Sequence, residues 1–336
     1  MAVEVSLPAA RSHNTELTRG ILPILLCSIL WGSVGLVSDY APTAASPESV
    51  GAFGLLIAGI LLLATRPGAR RLLLRARGRD RALLVLGSLA QLCYPLAFFP
   101  AVRQLGVALA TVITLGSAPL FTGLISRFVE RRRLTRRWLQ CAPVAVAGTF
   151  LLVAGDAGAH SVSATGVVLA LIPGLAYAVV STVGARMIGE GHASKDVFGA
   201  MFGTAALWCV PVLAVFGVHW VFGVRGAAVG LFFGCVTNSL CYTLFGSGLR
   251  YTSAATATTV TLAEGAVGTL LGVFAHGERL AGVAWAGLGL IAVALVLLSL
   301  PKAASDKAAT HNAATDNPAN ADGSATGTLS PWTPDA

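Results

Sequence analysis

Charged residues occupy only 11% of the 336 positions, and just 15 side chains are Asp or Glu. A soluble domain carries roughly 25% charge, so there is too little charge here to cover the surface of one or two water-exposed cores. No Cys-x-x-Cys pair occurs. Cys27, Cys93, Cys141, Cys209, Cys235 and Cys241 stand apart inside apolar runs, which supports neither a disulfide framework nor a zinc site and suits small packing residues. The histidines, His13, His160, His192, His219, His276 and His311, stand singly in loops and tails; without ligand spacing they imply no metal centre, and no cofactor is expected. A Gly-x-x-x-x-Gly-Lys-Ser/Thr loop is also missing, which excludes P-loop nucleotide hydrolysis.

What the chain has instead is apolar length. Its residues are 55% hydrophobic and its mean hydropathy is +0.75. At about 20 residues per membrane-crossing helix, ten runs qualify: 20–37, 49–65, 83–101, 107–128, 138–154, 166–188, 197–218, 226–248, 254–275 and 282–300. The fold class predicted is therefore an all-α integral membrane protein with ten transmembrane helices.

The net charge of +8 is concentrated rather than dispersed. One arginine cluster runs from Arg66 to Arg81 and another from Arg127 to Arg137; neither has the interleaved aromatics of a nucleic-acid surface. With the N-terminus in the cytoplasm and ten crossings, 20 basic residues fall on the inner side and 3, Arg103, Arg225 and Arg279, on the outer. This asymmetry places both termini in the cytoplasm. It works only if the first run is kept, which argues against a cleaved signal peptide. The clusters read as topological signals rather than as sites for lipid headgroups. Arg outnumbers Lys 20 to 3 amid abundant Ala and Gly, a composition of GC-rich bacterial genomes, so the membrane expected is a bacterial plasma membrane. The tails, 1–18 and 301–336, lack the apolar content to form a core and are expected to be disordered.

Sliding one half over the other reveals a weak internal repeat. Trp31 falls on Tyr177 and Leu134 on Leu280 at an offset of 146; Gln91 meets Asn238, Thr111 meets Thr258, Thr114 meets Thr261 and Ser117 meets Glu264 at 147. A repeat of five spans turns the second half upside down relative to the first, an architecture of secondary transporters with the substrate site at mid-membrane. The sequence here resembles the drug/metabolite transporter superfamily, in its ten-helix branch with two tandem EamA-type repeats. The residues carrying the resemblance are Leu30-Trp31-Gly32, Arg250-Tyr251-Thr252-Ser253-Ala254-Ala255, Leu262-Ala263-Glu264 and Gly277-Glu278-Arg279-Leu280, with a weaker first-half copy at Ser117-Ala118-Pro119 and Glu130. Gly265 stands where members often have Pro, and Arg131 to Arg133 stretch the first-half pattern. The repeats are expected over 19–155 and 156–300.

Glu264 is the only carboxylate at the middle of an expected span. With no intramembrane Lys, Arg or His to pair with, its environment should be protein interior or a watery cavity. It could bond helices together, carry a proton or bind a cationic group, or rest at a wet cavity edge. Thr258, Thr261 and Glu264 form a stripe at helical spacing, continued by Gly268 and Gly272 as a packing surface; Thr111, Thr114 and Ser117 repeat the polar part in the fourth span. Gln91 with Tyr94, Asn238 with Tyr242, and Tyr177 with Ser181 are further polar pairs. The candidate substrate-binding residues are thus Trp31, Gln91, Tyr94, Thr111, Thr114, Tyr177, Asn238, Tyr242, Thr258 and Thr261, with Glu264 as the coupling residue. Helix–helix hydrogen bonding explains each polar group equally well.

A membrane enzyme would need a convergent nucleophile, base or metal set, which Glu264 alone does not supply. The function expected is secondary transport of a small amphipathic metabolite or drug, by export, with import or a non-transporting scaffold or receptor as alternatives. The partners implied are a small-molecule substrate, the lipid bilayer and protons as a candidate coupling ion; no nucleic acid is implied, and the oligomeric state is not legible.

Overall fold

The computed structural model describes residues 17–131, 133–154, 163–276 and 281–300; the tails expected at 1–18 and 301–336 lie outside these apart from their residues 17 and 18. All regular structure among the described residues is helical. Nine segments there are long and apolar enough to cross a membrane. In chain order the helices are α1 (Leu17–Ser38), α2 (Pro47–Thr65), α3 (Pro67–Arg75), α4 (Gly78–Leu105), α5 (Val107–Leu124), α6 (Arg136–Ala154), α7 (Ala164–Gly189), α8 (Ser194–Phe216), α9 (Val224–Leu249), α10 (Ala254–Val260 with Ala263–His276) and α11 (Gly282–Ser299). The fifth expected span is present as α6, 19 residues opening on Arg136 and Arg137, but it is not one of the nine.

Serine caps set several of the starts. Ser46 precedes Pro47 and its hydroxyl accepts from the Ser49 N–H at 3.2 Å; Ser163 does the same for Gly166 at 3.3 Å and Ser253 for Thr256 at 3.1 Å. Each side-chain oxygen satisfies a first-turn donor that the helix itself leaves unpaired.

Three local features depart from the sequence reading. The arginine-rich stretch 66–77 contains a nine-residue helix, α3, instead of being loop alone. The ninth expected span is interrupted: α10 consists of Ala254–Val260 and Ala263–His276, with turn geometry at 261 and 262. Its Thr258-Thr259-Val260-Thr261 run is β-branched throughout, and the three threonine hydroxyls all donate to carbonyls of their own helix, Thr258 to Ala254 at 3.0 Å, Thr259 to Ala255 at 2.9 Å and Thr261 to Thr258 at 2.9 Å. Such bonds compete with the helical ladder and weaken it. Finally, Phe232–Leu240 within α9 is wound with i→i+5 bonds.

The helices pack as α4 on α7, α2 on α8, α6 on α11, α5 on α7, α2 on α9 and α4 on α8, while α1 is held between α9 and the second piece of α10. The largest apolar cluster centres on Ile24, Met187, Phe198, Met201, Phe202 and Phe245, all sealed from solvent. Close approach depends on small residues, as membrane helices generally require. A Cβ on Gly287 would sit 2.5 Å from the Leu152 nitrogen and 2.6 Å from the Gly148 carbonyl oxygen, so α6 and α11 meet backbone to backbone. Gly268 likewise faces the Gly32 carbonyl of α1, as a packing surface should.

Candidate functional site

Trp31 is the centre of the site. Its indole N–H donates to the Thr237 carbonyl of α9 at 2.9 Å, which fixes the ring where α1, α7 and α9 converge. Around it lie Tyr177 at 5.9 Å and Tyr242 at 5.2 Å, both edge-on, and Phe245 at 6.0 Å. Tyr242 in turn meets Phe202 at 4.9 Å and Phe198 at 5.6 Å. Edge-to-face contacts of this kind contribute roughly 0.5–1.5 kcal/mol each beyond burial. Trp31, Tyr177 and Tyr242 are each 7% exposed.

Polar groups border these rings on one side. The Tyr177 hydroxyl donates to Thr261 Oγ1 at 3.3 Å, at the interruption of α10. Gln91 lies against Tyr242, and its buried Nε2 has no hydrogen-bond partner. Glu264 opens the second piece of α10 within electrostatic reach of Tyr94, Tyr177, Tyr242 and Cys27. It is deep in the bundle yet partly exposed, and its carboxylate has neither an ion pair nor a hydrogen bond to a side chain among the described residues. A carboxylate so placed costs several kcal/mol unless water, a proton or a ligand meets it.

The structure therefore gathers Trp31, Gln91, Tyr94, Tyr177, Tyr242, Thr261 and Glu264. Four other candidates lie elsewhere. Asn238 donates to the Phe233 carbonyl at 2.9 Å and faces Gly54 of α2. Thr114 bonds the Ala170 carbonyl at 2.8 Å, joining α5 to α7. Thr258 is 1% exposed with its hydroxyl turned to its own helix. Thr111 is half-buried on α5 with no bond to the cluster. The sequence reading omitted Phe198, Phe202 and Phe245, ordinary apolar residues whose only signal is helical spacing to each other and to Tyr242. It also omitted the contact of Cys27 with Cys241, whose Sγ lies 3.9 Å from the Cys27 carbonyl.

At the arginine-rich end a cavity of about 370 Å³ opens between the end of α5, the start of α6, the last turns of α7 and the α9–α10 connection. Trp138 forms part of its wall and donates to the Ala255 carbonyl at 2.9 Å and to Thr259 Oγ1 at 3.0 Å. Elements from both halves of the chain contribute to this vestibule.

Comparison with known proteins agrees with this architecture. The EamA-like transporter family model matches twice, over residues 18–154 and 164–300. The Bacillus subtilis protein named "Uncharacterized transporter YwfM" is 32% identical over 267 residues, covering 80% of this chain and 89% of the relative. "Uncharacterized inner membrane transporter YicL" of Salmonella typhimurium is 26% identical over 279 residues, covering 80% and 91%. A solved crystal structure superposes with a TM-score of 0.68 at 20% identity, over 85% of this chain and 96% of that one, which is a likeness of fold. Matched by the family model in both halves, this multi-pass membrane chain belongs to the EamA-like transporter family and is a transporter, not an enzyme.

Proposed function

We propose that the protein is a secondary active transporter exporting small amphipathic metabolites or drugs from a bacterial cell by alternating access, with ten spans arranged as two inverted five-helix repeats over 19–155 and 156–300. The helix pairing supports the repeat. Setting α3 aside and exchanging each helix of the first half with its counterpart, α1 with α7, α2 with α8, α4 with α9, α5 with α10 and α6 with α11, turns every pair named above into another named pair or into itself. A two-fold relation between halves has this property. The vestibule at the arginine-rich end supports an inward-facing mouth leading toward a closed aromatic centre.

The observation carrying the reading is the unsatisfied polarity beside Trp31: the Gln91 amide donor and the Glu264 carboxylate, both lacking partners where the two halves meet. A bound amphipath supplies apolar surface to the rings and a polar group to one of these; a proton on Glu264 supplies coupling.

Glu264→Gln tests this in proteoliposomes. If Glu264 couples protons, the variant inserts and catalyses counterflow exchange but no longer accumulates cargo against its gradient when a pH gradient is applied. Normal gradient-driven accumulation by Glu264→Gln overturns the coupling role, and absence of cargo flux in wild-type vesicles overturns transport of that cargo. Reversing the imposed gradient distinguishes export from import.

A further inference from the structure

Helix α3 lies on its side of the bundle with an unusual division of faces. Ala69 is buried and Leu72 and Leu73 pack on the main core, while Leu74 is 84% exposed beside exposed Arg70 and Arg71. Short helices of this composition lie in the headgroup layer, apolar side chains toward the acyl boundary and basic ones toward phosphate. Between α3 and the start of α8 there is an open pocket of about 270 Å³, with Arg71 and Arg75 on one wall and His192 and Asp196 on the other. His192 is engaged by Asp80 at 3.4 Å. Arg71, Arg75 and Asp196 make no ion pair or side-chain hydrogen bond among the described residues.

Opposite charges that share a pocket without meeting leave a gap that a ligand bearing both charges can span. We propose that this pocket binds the phosphoethanolamine headgroup of a membrane phospholipid, Arg71 and Arg75 holding the phosphate and Asp196 the ammonium. Guanidinium groups suit phosphate, and a primary ammonium gives Asp196 three N–H donors. A purely anionic headgroup is opposed by Asp196, and choline has no N–H to donate. Gly68 makes room for the acid, since a Cβ there would collide with the Asp196 carboxylate.

The test is native mass spectrometry of the purified full chain in detergent with equimolar phosphatidylethanolamine, phosphatidylglycerol and phosphatidylcholine of identical acyl chains. The ethanolamine lipid should be retained about tenfold over the choline lipid, the worth of one charge-assisted hydrogen bond. Asp196→Asn should erase that preference while leaving the glycerol lipid bound, and Arg71→Gln with Arg75→Gln should weaken all three. Equal retention of the three lipids by wild type overturns the proposal without reference to any variant. Full displacement by inorganic phosphate, or an ethanolamine preference unchanged in Asp196→Asn, overturns the zwitterion assignment.

Discussion

Tyr177 on α7 and Thr261 on α10 are joined hydroxyl to hydroxyl at 3.3 Å, and the Thr261 hydroxyl in turn donates a hydrogen bond to the Thr258 carbonyl at 2.9 Å. The bond ties the aromatic cluster to the one place where α10 departs from helical winding. Tyr177→Phe keeps the ring contacts and removes the bond, and should lower stability by roughly 0.6 kcal/mol, typical of hydrogen bonds between membrane helices. Thr261→Val should cost a similar amount. The double variant should cost less than the sum of the singles, and thermal unfolding of all four proteins measures that coupling.

Glu48 and Arg103 form an ion pair at 2.6 Å between the start of α2 and the end of α4. The partners are unequal, since the Glu48 side chain is 4% exposed and that of Arg103 is 59% exposed. Removing Arg103 leaves a buried carboxylate alone, whereas removing Glu48 leaves a guanidinium that water can reach. Arg103→Gln should therefore destabilise more than Glu48→Gln, and a reversed order of melting temperatures would contradict the burial argument.

The α6–α11 seam predicts a sharp contrast between neighbouring glycines. Gly287 touches the backbone of α6, while a side chain at Gly289 would meet nothing within 4 Å. Gly287→Leu should cost roughly 1–3 kcal/mol by overpacking, or prevent folding outright, and Gly289→Leu should be close to neutral. Yield and melting temperature of the pair decide it.

Orientation is testable by labelling. In a background lacking the six native cysteines, Arg75→Cys and Arg133→Cys should resist membrane-impermeant reagents in intact cells and react in inverted vesicles, as the inner placement expected of the basic residues from their sequence asymmetry requires. Reaction from outside intact cells would reverse the topology.

Much of the fold was legible because bilayer thickness fixes helix length and charge fixes the ends. The expected 49–65, 166–188 and 282–300 differ from Pro47–Thr65, Ala164–Gly189 and Gly282–Ser299 by a few residues at most. What escaped was winding. The break at Thr261 arises from hydroxyls competing for carbonyls, and α3 is too short and too basic for a search for apolar runs. Within the site, Trp31 stood out by its offset to Tyr177 in the repeat and by the Leu30-Trp31-Gly32 motif, Tyr177 also by its spacing to Ser181, and Tyr242 by its spacing to Asn238. Phe198, Phe202 and Phe245 did not, since a phenylalanine inside an apolar helix is indistinguishable by composition from one facing lipid. The Cys27–Cys241 contact requires knowledge of which helices adjoin.

The i→i+5 stretch Phe232–Leu240 has a consequence for how this chain tolerates changes of length. Asn238 and Ser239 each bond a carbonyl five residues back, at 2.9 and 2.8 Å, so the wide turns are stitched by side chains as well as by backbone. Such a stretch accommodates a residue more than an α-helix of equal rise, a local surplus of chain. Deleting one residue there would let the ladder tighten to ordinary winding, and the tighter turns would make up most of the rotation lost with the residue. Tyr242 and Phe245 would then stay against Trp31, whereas the same deletion in an α-helical stretch would swing everything beyond it by about 100°. The surplus residue thus acts as slack ahead of the last third of α9, and the facing of those rings is buffered against a change in the count of residues before them.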